Sequence, residues 1–154
     1  MQFSGRSVLL LCAMATLPSA AQAQVVASSQ PLDFGPLVAG VVEIVTATDA
    51  ARRADIAIQG TSNSTASLTV VLPTALTAPT GATVPLQFQP GDVIFEPPVG
   101  QGPTTVNLQG TTSIRLHRTR EGRLYIGGRA LPAVGQRAGA YSATIVVIVA
   151  PTGA

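Results

Sequence analysis

The sequence predicts an all-β protein, specifically an immunoglobulin-like β-sandwich of about 7–9 short strands. Three observations carry that prediction. β-branched, alternating runs recur at intervals of roughly 8–15 residues, separated by glycine and proline. Beyond the N-terminal segment, no window of about 11 residues carries the i, i+3, i+4 apolar stripe of a helix. The composition is 46% hydrophobic and 10% charged, with 15 Gly and 12 Pro. That is too apolar for a disordered chain and rich in turn residues.

The N-terminus sets the compartment. Arg6, the apolar run Ser7–Leu17, Pro18 and the small-x-small site Ala21-Gln22-Ala23 have the layout of a secretory signal peptide. Residues 1–23 are expected to be removed before Gln24. The apolar run is short of the roughly 20 residues a membrane span needs, so no span is expected after cleavage. The expected location is the periplasm, the outer surface or the extracellular space. Cys12, the single cysteine, leaves with the signal. Residues 24–154 then form one domain without a disulfide.

The strand signals follow in order. Val41–Thr48 is β-branched and largely alternating. Asp55–Ile58 ends at Gly60, and Ser67–Leu72 is stopped by Pro73. Val84, Leu86 and Phe88 share one face of a run, and Val93–Phe95 meets the breaker pair Pro97-Pro98. Thr105–Leu108, Ser113–His117 and Arg123–Ile126 come next, and Tyr141–Val149 is the last. Buried side chains are expected at Phe34, Leu86, Phe88, Tyr125, Tyr141, Ile145 and Val147, each on an apolar stripe.

The last run is a candidate strand-pairing edge. Tyr141, Ile145, Val147 and Val149 lie on one face, and Val146 and Ile148 make the other face apolar as well. Such a strand is covered on both sides. Either it is central in its own sheet, with Leu32–Phe34 beside it or a groove there in direct line with it, or another chain supplies the cover. The short apolar arm Val25-Val26-Ala27 favours closure.

Nothing in the sequence assembles a catalytic or cofactor site. His117, the single histidine, sits between Arg115 and Arg118 on the outward face of its strand, with no acid beside it to orient the ring. Asp92 and Glu96 share a strand face about 13 Å apart, too far for one cation whose oxygen ligands lie at about 2.3–2.6 Å. Gly127-Gly128 is followed by neither a lysine nor a helix start, so it suits a turn or bulge rather than a phosphate loop. No enzyme activity, metal or cofactor is expected.

Charge is the one polarised feature. Residues 24–110 hold six acids against Arg52 and Arg53, a net −4. Residues 111–154 hold six arginines against Glu121, a net +5. Arg115, Arg118, Arg120, Arg123 and Arg129 form a candidate patch for an anionic partner, since guanidinium binds carboxylate or phosphate bidentately. An anionic envelope polysaccharide or lipid head group, or the acidic face of a like subunit, suits an exported protein. Nucleic acid does not. With a glycan as partner, the alternative function is a free-standing secreted binding module.

Four elements in order also resemble a bacterial family of exported domains of unknown function. They are Leu32-Asp33-Phe34-Gly35, then Gln59-Gly60 with Leu68–Pro73, then Leu124-Tyr125-Ile126-Gly127-Gly128-Arg129-Ala130-Leu131, then Gly139-Ala140-Tyr141-Ser142-Ala143-Thr144. That family is similar to the spore coat protein U and chaperone–usher pilin group. The resemblance implies a pilin-like subunit with an open groove. Its sandwich lacks one strand, which a periplasmic chaperone or a like subunit supplies.

Overall fold

The computed structural model describes residues 25–152, so the expected signal segment and Cys12 lie outside the described residues. Those residues hold twelve strands and no helix. They are β1 (Val25–Gln30), β2 (Glu43–Val45), β3 (Ala54–Gln59), β4 (Ser64–Val71), β5 (Ala75–Thr77), β6 (Thr83–Gln87), β7 (Val93–Glu96), β8 (Thr104–Thr105), β9 (Thr112–Leu116), β10 (Gly122–Ile126), β11 (Gly128–Ala130) and β12 (Val146–Pro151). They form three antiparallel sheets: five strands in the order β1-β3-β10-β7-β8, four in the order β2-β11-β6-β5, and three in the order β12-β4-β9.

Period-two alternation builds the main core. On β4, Ala66, Leu68 and Val70 are buried while Thr65 and Val71 are exposed. Ile114 and Leu116 of β9 point the same way. From the five-stranded sheet, Ile56 and Ile58 of β3, Val93 and Phe95 of β7, and Leu124 and Ile126 of β10 join them in one cluster. The inner faces of the five- and three-stranded sheets thus share one apolar interior. A smaller cluster of Phe34, Val45, Val84 and Ala130 lies under the four-stranded sheet. Leu32 packs on both clusters and ties them together.

Gly127 is where the chain changes sheets. β10 belongs to the five-stranded sheet and β11, one residue later, to the four-stranded sheet. The Gly127 N–H donates to the Asp92 carbonyl at 2.7 Å. A Cβ there would run into the carbonyl oxygen of Val45 and lie 2.7 Å from the Ala47 nitrogen. The backbone of residues 45–47 passes so close that only glycine fits. The expected turn at this pair is a sheet switch.

The other strand expectations divide. Those for β3, β4, β6, β7, β9 and β10 match within a few residues. Val41–Thr48 shrinks to β2, and Thr105–Leu108 to the two-residue β8. β1, β5 and β11 were not expected. Their runs are three to six residues long, and β1 pairs only with β3, at a sheet edge. Of the expected core residues, Phe34 is buried. Leu86, Phe88, Tyr141, Ile145 and Val147 are half-buried, because they lie at sheet margins or along a groove, and Tyr125 is half-buried because Leu124 and Ile126 take the inner face of β10 and turn it to the other side. The interior is filled instead by Phe95, Ile58, Leu68, Leu124 and Ile126.

Candidate functional site

The last expected strand is two pieces, and the site lies where they meet. Ser142 bridges to Thr77 of β5 through a reciprocal backbone pair. Only from Val146 does the chain form β12, antiparallel to β4 with Val146 opposite Val71 and Pro151 opposite Ala66. β12 is therefore not a central strand; its neighbour is β4, and Leu32–Phe34 instead line a groove in line with its entry. It is an edge strand whose second side has no strand partner among the described residues. Ile145, Val147 and Val149 pack against the main core, whereas Val146 and Ile148 are 45% and 49% exposed.

A groove of about 960 Å³ runs beside the entry to β12. One wall is the segment from Ser28 to Ala39, the other the segment from Gln136 to Ile145, and Leu76, Val84, Leu86 and Phe88 line it from the four-stranded sheet and its flank. Each wall is held by local hydrogen bonds. Asp33 accepts the Gly35 N–H on its carboxylate at 2.8 Å and donates its own N–H to the Arg52 carbonyl at 2.8 Å. Gly35 takes a positive φ of 66°, where a side chain is disfavoured. That turn drives Phe34 into the second cluster. Across the groove, the Tyr141 hydroxyl donates to the Arg137 carbonyl and accepts from the Gln136 amide, both at 2.6 Å. Tyr141 is thus a post of the groove wall and not part of β12.

Leu32–Gly35 and Gly139–Thr144, two of the elements that carry the family resemblance, lie at opposite ends of the chain, and both line this groove. Ile145 lies at its end and leads directly into β12.

The five candidate arginines do not form one surface. Arg115 is exposed on β9, and Arg118 and Arg120 are exposed in the turn before β10. Arg123 points elsewhere: it bonds Ser29 at 3.0 Å and Asp55 at 3.1 Å, with Glu121 at 3.5 Å. The hydrogen bond to Asp55 raises the Arg123 pKa. Arg129 lies on β11 opposite Ile44 and Gln87, its Nε buried without a hydrogen-bond partner. Sequence spacing missed this split because β10 and β11 enter different sheets.

Acidic groups on the opposite half are partly spoken for. Arg52 binds both Glu43 and Asp49. Arg53 stacks over Tyr125, 3.5 Å from the ring centroid. Burial, chiefly, with the hydrogen bond to Glu96 raises the Tyr125 pKa. Among the described residues no cluster of three or more His, Asp or Glu could hold a metal ion, and no helix is long and apolar enough to cross a membrane. Asp92 accepts the Gln89 N–H at 2.7 Å, a turn contact.

No protein-family model matches the chain, and no curated protein or solved structure matches it.

Proposed function

We propose that this protein is a non-enzymatic, exported structural subunit of pilin-like type, an immunoglobulin-like sandwich that accepts an extended segment of a like subunit along β12. The observation that carries this reading is the open outer edge of β12 at the end of a 960 Å³ groove. An edge strand presents a row of unpaired donors and acceptors, and an added strand satisfies them by β-augmentation. The β12 run Val-Val-Ile-Val-Ala carries no charge and reaches proline only at Pro151, so it lacks the charges that protect solitary edges. Val146, Ile148 and Val71 supply exposed apolar area beside it. A periplasmic chaperone covering the same edge before assembly fits the same chemistry.

The mature protein, purified after export, tests this by size-exclusion chromatography and electron microscopy. Concentration-dependent multimers, lost when Val147 is replaced by proline, are expected. Proline removes a backbone donor and disrupts strand pairing. A strictly monomeric protein at every concentration, with no chaperone requirement on co-expression, contradicts the reading.

A further inference from the structure

A second groove lies at the opposite edge of the three-stranded sheet, along β9 and the loop after β7. It encloses about 580 Å³, and none of the residues lining it is acidic. Three of its polar side chains already accept hydrogen bonds, which leaves them as donors. The Asn63 Oδ1 takes the Arg118 backbone N–H at 3.0 Å, so the Asn63 amide NH₂ is left to donate. The His117 Nδ1 takes the Thr119 N–H at 3.2 Å, which puts the proton of the neutral ring on Nε2. The Thr65 hydroxyl accepts from Thr152 at 2.9 Å and keeps its own proton to give. Arg115 adds a guanidinium for which no carboxylate partner occurs among the described residues.

A groove whose lining is rich in donors and lacks carboxylates selects an anion. We propose that it binds an acidic saccharide, with Arg115 holding a sugar carboxylate in its planar fork. Asn63, Thr65 and His117 then donate to hydroxyl or ring oxygens, and Pro98 and Val99 give the C–H face of the sugar an apolar surface. The volume is far larger than an inorganic anion requires. The neutral donors around Arg115 suit a polyhydroxylated ligand with one charge per unit. This site is separate from the groove beside β12 and does not depend on strand acceptance.

Isothermal titration of the purified protein at low salt, with trigalacturonate as probe, tests the proposal. Saturable binding is expected, weakened about tenfold or more in Arg115→Gln. Arg115→Lys should also lose affinity, since an ammonium cannot make the bidentate contact. Arg129→Gln, on another sheet, should bind as the parent does. Absence of binding, or equal affinity in parent and Arg115→Gln, overturns the proposal. So does equal or tighter binding of maltotriose, inorganic sulfate or a triglutamate peptide, which would assign the groove to neutral sugars, small anions or acidic peptides respectively.

Discussion

Thr77 and Ser142 exchange a pair of backbone hydrogen bonds, Thr77 N–H to the Ser142 carbonyl at 2.8 Å and Ser142 N–H to the Thr77 carbonyl at 3.1 Å. This single bridge ties the terminal segment to the four-stranded sheet before it crosses to the three-stranded one. It divides a run that alternates without a break in sequence. It also keeps the groove wall of residues 136–145 separate from the edge strand that follows.

The sheet switch at Gly127 gives the first prediction. Gly127→Ala pushes a methyl group into the backbone of residues 45–47, which cannot give way as a flexible side chain does. Overpacking of this kind costs about 3 kcal/mol. Urea denaturation should show the midpoint fall with the slope unchanged, and an unaltered midpoint would place the Val45 segment elsewhere.

The second prediction ranks two phenylalanines. Phe95 is 1% exposed at the centre of the main core, and Phe95→Ala should cost about 3–5 kcal/mol. Phe88 is half-buried at the groove, so Phe88→Ala should cost clearly less. Thermal unfolding of both variants checks the order. A Phe88 variant as unstable as the Phe95 variant would mean that the groove is part of a closed interior.

The contrast between these residues shows what the sequence made legible. Leu68, Ile114 and Leu124 sit in strands whose burial alternates without a break, and their burial follows from period two alone. Phe88 has the same local pattern, yet it lies on a sheet margin beside a groove. Alternation tells which side chains share a face and not how deeply that face is covered. The groove walls were marked only as two separated segments, Leu32–Gly35 and Gly139–Thr144. Their meeting depends on the Asp33 turn and the Thr77–Ser142 bridge, neither of which has a periodic signal. The arginine patch divides for a related reason: Arg123 and Arg129 part from the exposed Arg115, Arg118 and Arg120. Five arginines within fifteen residues read as one surface until Gly127 turns the chain into a second sheet and Asp55 draws Arg123 away.

The third prediction concerns acid. The Arg52 side chain, bonded to Asp49, holds the Asp49 carboxyl below its usual 3.8, and Glu43 and then Asp49 raise the Arg52 pKa. A carboxylate whose pKa is depressed on folding adds stability that is present above its unfolded pKa. That stability is lost as pH falls through the folded value, here below about pH 4. Thermal midpoints of the parent should therefore drop between about pH 4 and pH 2, and those of Arg52→Gln should drop less steeply. Parallel curves would mean that this half-exposed triad contributes nothing measurable.

The proposed function rests on an outer edge of β12 that is open and takes a strand. Amide hydrogen exchange along Val146–Ala150 tests it most directly. In an antiparallel edge strand, alternate amides bond the neighbour and the rest face outward. In the isolated monomer, the amides bonded to β4 should exchange slowly and the alternate ones fast, and the fast set should slow on assembly. Uniform protection of the whole strand in the monomer, unchanged on assembly, would contradict the account.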